Sequence, residues 1–235
     1  NQSTADYQVI PLPESVQLQA GKSFVLNKQT AVVFPAGNAK MQKNAGFLKQ
    51  YVQEATGIII DSKKQKGVKN IIELALGLQS QNPEAYKITV NAQKITITGA
   101  SESGVFYGIQ TLRKSLPVDA GAGQVQMPAV IVNDQPRFSY RGMMLDVSRH
   151  FFTVKEVKTY IDMLALHNVN KFHWHLTDDQ GWRFESKKYP RLTEVGSTRP
   201  ETVIGRNSGK YDGIPHGGFY TQAELKEVIA YAADR

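Results

Sequence analysis

No cysteine occurs in the 235 residues, which removes disulfides, thiolate metal ligands and cysteine nucleophiles from consideration. The absence leaves the compartment open. Long apolar runs are missing too. The longest, around Gly57–Ile60 and Ile71–Leu78, fall far short of the roughly 18–20 residues of a membrane-spanning helix and suit buried strands. Acidic residues are the minority charge, 21 against 28 Lys and Arg, for a formal net charge of +7. The lysines are scattered apart from Lys63, Lys64, Lys66 and Lys69. Nucleic-acid binding would need a basic stripe interleaved with aromatics. That cluster therefore reads as a solvated loop, and no nucleic-acid partner is expected. A basic-then-apolar leader is also absent. The chain opens on Asn1, so any signal peptide is expected to have been removed. What remains, 41% hydrophobic and 21% charged, is the composition of a globular protein with one large or two medium domains.

Two halves differ in rhythm. In residues 1–135, Tyr86–Val90 and Lys94–Thr98 alternate apolar and polar residues around Asn91-Ala-Gln, the pattern of a hairpin with one buried face. Ile71–Leu76 reads as a more fully buried strand, and Met127–Val132 as a further one. Phe47, Leu48, Tyr51, Val52 and Ala55 recur at helical spacing, with Gly57 as the stop. A second helix is predicted over about Ser103–Leu116, ahead of Pro117. These elements imply an α+β domain, a mainly antiparallel sheet with two helices.

After the turn-like Asn133–Pro136 the grammar changes. Gly142–Val147 is an apolar strand ending in Ser148, Arg149 and His150. Thr153 and Glu156 have capping-box spacing and open a helix striped by Val154, Val157, Ile161 and Leu164. A second strand is predicted at Lys171–Leu176. A second capping box, Thr221 with Glu224, opens the last helix. Between them lie the 44 residues 177–220, with seven glycines and three prolines, a short helix being expected near Tyr189–Val195. A loop so long is functional or disordered. This one follows a strand's C-terminal end, where α/β folds keep their chemistry. Residues 136–235 thus read as β-α-β-loop-α, the start of a parallel α/β fold.

The densest chemistry is KFHWHLTDDQGWRFE, Lys171–Glu185. Strand alternation puts His173 and His175 on one face and Phe172, Trp174 and Leu176 on the other. Three readings compete. His173 and His175 could begin an HxH metal site, but His150, His167 and His216 lack ligand-like spacing to complete it. The alternative for the two histidines is a strand-stiffening role, buried and hydrogen-bonded to neighbouring strands. Asp178 and Asp179 could be the paired carboxylates of a glycosidase, although adjacent residues on an extended chain diverge. Or Arg149 and one aspartate could grip a hydroxyl-rich ligand, with Trp174 or Trp182 as a packing surface. Arg149 and Asp178 end neighbouring parallel strands and share a rim. The bland version of this reading is an Arg–Asp pair that fixes two loops.

RGMMLDVSRHF (Arg141–Phe151), NVNKFHWHLTDDQGWRFE (Asn168–Glu185) and GGFYT (Gly217–Thr221) resemble, in order and spacing, the β-N-acetylhexosaminidases of glycoside hydrolase family 20. IPLP (Ile10–Pro13) and SGVFYGIQTL (Ser103–Leu112) resemble the domain that precedes the barrel there. The resemblance implies an α+β domain over 1–135 and the first two β/α units of a (β/α)8 TIM barrel over 136–235, truncated in this chain. It also implies retaining, substrate-assisted removal of terminal β-linked N-acetylhexosamine from a glycan, without a cofactor or metal. Arg149 matches the family's arginine for sugar hydroxyls, and Asp178 the active-site aspartate of its DD pair. Asp179, His173 and His175 match supporting positions, and Arg141 a barrel-stabilising one.

The family's catalytic Asp-Glu pair follows a later strand, and no Asp-Glu pair occurs between Asn1 and Arg235. The chain is accordingly expected to be an inactive amino-terminal piece of such an enzyme, from a periplasmic, cell-surface or secreted protein. Met143, Leu145, Phe172 and Trp174 are expected to leave an apolar face or open edge that invites self-association. Two other functions stay open: a non-catalytic carbohydrate-binding or interaction module, and a metal-dependent barrel hydrolase.

Overall fold

The computed structural model describes residues 3–62, 69–118, 123–206 and 208–235. Lys63, Lys64 and Lys66 of the lysine cluster lie outside these. The chain divides into two compact units, Asn1–Ser139 and Tyr140–Arg235.

In the first unit, strands β1 (Ser3–Thr4), β2 (Ser15–Leu18), β3 (Phe24–Asn27) and β4 (Ala31–Val33) precede helix α1 (Ala39–Thr56). Then come β5 (Asp61–Ser62), β6 (Ile71–Leu76), β7 (Tyr86–Val90), β8 (Lys94–Gly99), α2 (Glu102–Ser115), β9 (Gln124–Met127) and β10 (Val130–Asp134). Asn38 caps α1 by accepting the Met41 N–H at 3.0 Å. Gly57 stops the helix in the left-handed region at φ 72°, its N–H donating to Gln53 O at 2.8 Å. The β7–β8 hairpin pairs Val90 with Ile95 and Tyr86 with Gly99, and alternation buries Tyr86, Ile88, Val90, Ile95 and Ile97.

Two expectations are corrected here. The large sheet, in order β2-β10-β7-β8-β6-β4-β5, is mixed rather than mainly antiparallel. Its β2, β10, β7 and β8 run antiparallel, whereas β8-β6, β6-β4 and β4-β5 are parallel. The cause is the crossover through α1, which returns the chain in the direction of β4. The single strand expected at Met127–Val132 is two. The chain breaks at Pro128-Ala129, so β9 joins β1 and β3 in a separate small sheet while β10 enters the large one.

Helix α2 is buried almost throughout from Gly104 to Leu112. It lies close enough to the hairpin that a Cβ on Gly104 would sit 2.3 Å from the Ala85 carbonyl oxygen. One on Gly108 would sit 2.5 Å from the Ile97 side chain.

In the second unit, β11 (Gly142–Asp146) and β12 (Lys171–His175) are parallel and joined by α3 (Val154–Leu166). The register sets Leu145 against Trp174 and Asp146 against His175. The 177–220 segment, expected as one long loop, carries its own short pairings. These are β13 (Thr177–Asp178) with β14 (Gly181–Trp182), and β15 (Thr198–Arg199) with β16 (His216–Gly217). The short helix α4 (Arg191–Glu194) lies between them, and α5 (Gln222–Ala233) follows. Both capping boxes form, Thr153 with Glu156 and Thr221 with Glu224.

The core of this unit is Val147, Val157, Ile161, Tyr220, Leu225 and Val228, with Leu145, Phe172, Trp174 and Leu176 packed on it. Each buried apolar side chain contributes roughly 1.5–3 kcal/mol. Leu145, Phe172 and Trp174 therefore face the helices instead of forming the exposed apolar face expected of them. Met143 and Met144 do stay open, 52% and 47% exposed.

Gly104→Ala tests the α2 packing. Helix propensity alone would reward the methyl by about 1 kcal/mol. The clash with Ala85 O is expected to reverse the sign and cost about 1–3 kcal/mol in urea unfolding. A raised midpoint would show that the close approach carries no weight.

Candidate functional site

The C-terminal ends of β11 and β12 bring Arg149 and Asp178 together, with Arg149 Nη1 2.8 Å from Asp178 Oδ2. The same Nη1 lies 2.9 Å from Asp146 Oδ2. Asp146 thus holds Arg149 by its side chain, and its other oxygen accepts the backbone N–H groups of Ser148 at 2.9 Å and Arg149 at 3.2 Å. Burial works against ionisation of Asp146, but those two N–H groups and the Arg149 guanidinium outweigh it and hold its pKa below the ordinary carboxylate value. Asp178 is held low as well, first by hydrogen bonding from Asp179, whose backbone N–H donates to Oδ1 at 2.9 Å, then by Arg149 and His175.

His175 Nε2 is 3.1 Å from Asp178 Oδ2 and 3.2 Å from Thr177 O. Both partners are acceptors, which places the proton on Nε2. His173 stacks beside His175 at 6.1 Å between ring centroids. Neither is the fully buried strut expected: His173 is exposed and His175 half-buried. The face they share is the one turned away from α3 and α5.

Trp174 is corrected as a ligand-packing surface. It lies on the helix-facing side, its ring 4.6 Å from that of Tyr220. Trp182 is half-buried and donates to Phe184 O at 2.6 Å. Of the remaining histidines, His167 closes α3 through Met163 O, while His150 and His216 meet edge-on at 5.1 Å. Among the described residues no group of three or more His, Cys, Asp or Glu could hold a metal ion.

Sequence reasoning passed over Asp146 and Arg183, and weighed His216 only as a metal ligand. Asp146 closes an apolar strand, and its signal was an acid three residues before Arg149. His216 accepts the Phe151 N–H on Nε2 at 2.9 Å. Its pKa is lowered by burial and then by Arg199, Arg183 and His150. Arg183 is fully buried and, among the described residues, its side chain donates to four carbonyl oxygens: Val147 at 3.0 Å, Ser148 at 2.8 Å, Ser197 at 2.5 Å and Gly218 at 3.0 Å. The only trace it left was an arginine wedged between Trp182 and Phe184.

Comparison with known proteins places this geometry. Residues 6–135 match the model "Glycosyl hydrolase family 20, domain 2" and residues 138–235 match "Glycosyl hydrolase family 20, catalytic domain". The chain belongs to glycosyl hydrolase family 20. It is 37% identical over 235 residues to a beta-hexosaminidase of Porphyromonas gingivalis, covering 97% of this chain and 29% of that one. It is 33% identical to a beta-N-acetylhexosaminidase of Cellulomonas fimi, covering 98% and 44%. The N-acetyl-beta-hexosaminidase of Streptomyces plicatus in complex with Thio-NAglucal superposes with TM-score 0.82 at 35% identity, over 97% of this chain and 44% of that one. The exo beta-N-acetylglucosaminidase of Vibrio harveyi in complex with N-acetylglucosamine gives 0.83 at 33%, over 100% and 36%. The chain therefore spans less than half the length of these relatives.

The depressed aspartate pKa values fix a pH dependence. A carboxylate whose folded pKa lies below its unfolded value adds stability above the unfolded pKa and loses it as pH falls through the folded one. Asp146→Asn is expected to lower the urea midpoint of the protein at pH 6, with the gap to wild type closing as pH drops below 3.8. A gap that stays constant down to pH 2 would remove the charge from the explanation.

Proposed function

We propose that the chain is the amino-terminal part of a retaining exo-β-N-acetylhexosaminidase that removes terminal non-reducing N-acetylhexosamine from glycans. The observation that carries this reading is how Arg149 is held. All of its described side-chain bonds are made by Nη1, to Asp146 and Asp178. The side chain is nearly half exposed, and the N–H groups of Nη2 and Nε are left for a ligand. Two carboxylates against one guanidinium make the rim rich in acceptors. It therefore suits a neutral polyhydroxylated ligand better than an anion.

In this reading Arg149 and Asp178 bind hydroxyls of the terminal sugar, and Asp179, His173 and His175 support them. The substrate's 2-acetamido oxygen attacks the anomeric carbon as the leaving oxygen is protonated, giving an oxazolinium ion that water then opens. The proton donor and the acid that orients the acetamide come from the family's Asp-Glu pair, supplied by a later part of the full-length protein. The bound ligands of the Streptomyces and Vibrio relatives, Thio-NAglucal and N-acetylglucosamine, support the sugar class. A periplasmic, cell-surface or secreted location is proposed with it, as such glycans lie there.

The full-length protein is expected to hydrolyse an aryl N-acetyl-β-glucosaminide with retention at C1, followed by proton NMR. Arg149→Ala should lower kcat/KM roughly 10–100-fold, the worth of a charged hydrogen bond of about 1.5–3 kcal/mol. The 235-residue chain alone should show no turnover, since a general acid contributes roughly 10²–10⁴-fold and the chain holds no Asp-Glu pair. Turnover by this chain alone would refute the assignment of the acid.

We also propose that this chain, produced alone, associates with itself through β11 and β12, which among the described residues pair only with each other. Light scattering should give more than 26.1 kDa for the chain, falling towards the monomer on Met144→Glu at the exposed face. A monomeric wild-type chain would end that idea.

A further inference from the structure

We propose that Arg183 is a positioning residue for Arg149: it fixes the peptide bond that carries the sugar-binding arginine, without touching sugar itself. The inference rests on the proposed role of Arg149 and extends it to a residue with no ligand contact.

Consider the peptide unit between Ser148 and Arg149. Its carbonyl accepts from Arg183 Nη2 at 2.8 Å. Its N–H donates to Asp146 Oδ1 at 3.2 Å. Both polar groups of this one peptide are therefore held, from opposite sides and by different residues. The preceding carbonyl, Val147 O, is taken by Arg183 Nε at 3.0 Å, and Val147 N donates to His175 O at 3.2 Å. The backbone leaving β11 thus has no freedom to swing where Arg149 branches from it.

The other arm of Arg183 reaches two further segments, through Nη1 to Ser197 O and Gly218 O. One planar group therefore ties the Arg149 backbone to the residue before β15 and the residue after β16. Only a guanidinium can do this. Its rigid fork presents five donors in a plane, whereas an ammonium offers three from a single point. The space for it is made by Gly181, where a Cβ would stand 2.4 Å from the guanidinium carbon. The backbone of Arg183 is itself anchored, its N–H to Leu176 O at 2.9 Å and its carbonyl to Tyr220 N at 2.8 Å. None of the four side-chain bonds goes to an acid, so Arg183 is not one half of an ordinary ion pair. Its bonds are spent on the course of the backbone.

The experiment is a double-mutant cycle on kcat/KM in the full-length protein, with Arg183→Lys, Arg149→Ala and the pair. Arg183→Lys is expected to lower kcat/KM at least roughly 10-fold through misplacement of Arg149. In the Arg149→Ala background the same change should cost less than about 2-fold, since nothing remains to be positioned. Gly181→Ala displaces the guanidinium without altering it and should reproduce the loss. It carries the test if Arg183→Lys does not give folded protein by near-ultraviolet circular dichroism. An equal loss in both backgrounds makes Arg183 merely structural and overturns the inference, as does an undiminished single variant. If Arg149→Ala itself leaves kcat/KM unchanged, the sugar-binding reading fails first and this inference falls with it.

Discussion

The second unit depends on a cation sealed away from water. Taking a guanidinium out of solvent costs several kcal/mol, and a carboxylate partner usually offsets this. Arg183 has none among its described bonds and uses four carbonyl dipoles instead. The dependence runs both ways. Ser197 O also accepts the Gly218 N–H at 3.1 Å, but the carbonyls of Val147, Ser148 and Gly218 have no other described partner, and an unpaired buried carbonyl carries its own desolvation penalty. Cation and carbonyls offset one another's desolvation, which makes their ordering cooperative. That is how a glycine-rich segment with only two-residue strands holds a defined course.

On this frame the period-two geometry of β12 separates structure from chemistry. Phe172 and Trp174 turn to α3 and α5 and fill the core, and Tyr220 closes it from the other end of the loop. His173 and His175 turn the other way, and His175 Nε2 donates a hydrogen bond to Asp178 Oδ2 at 3.1 Å. A shift of one residue in the register with β11 would send the histidines into the helices and the tryptophan outward. The apolar core therefore selects which side chains reach the rim, and the thin hydrophobic cluster beneath is a condition of the site's geometry.

The legible parts of the sequence were the local ones. Capping boxes, the α1 stop at Gly57 and the β7–β8 hairpin all rest on residues a few positions apart, and each formed as read. The meeting of Arg149 and Asp178 was legible because parallel strands put their ends on one side. Illegible were features settled by partners distant in sequence. The mixed sheet follows from which edge the α1 crossover chose, and Trp174 was decided by contact with Tyr220, 46 residues on. Arg183 escaped because its partners are backbone carbonyls, which have no letter in a sequence. The histidines were misjudged in burial because exposure depends on what covers a strand face, and periodicity reports only that two residues share one.

The charge balance at the rim explains why such scaffolding is useful. Arg149 lies between two aspartates at nearly equal distance, 2.9 and 2.8 Å. With both aspartates ionised, the three groups sum to −1, and His175 Nε2 lies 3.1 Å from Asp178 Oδ2. A guanidinium balanced between two acceptors gains little from leaning to either, so side-chain pairing alone would leave its azimuth soft. Orientation must then come from the main chain, which is where Asp146 and Arg183 act on opposite ends of one peptide. Conformational entropy that a ligand would otherwise have to remove from Arg149 is lost on folding instead, so its remaining N–H groups are already aimed.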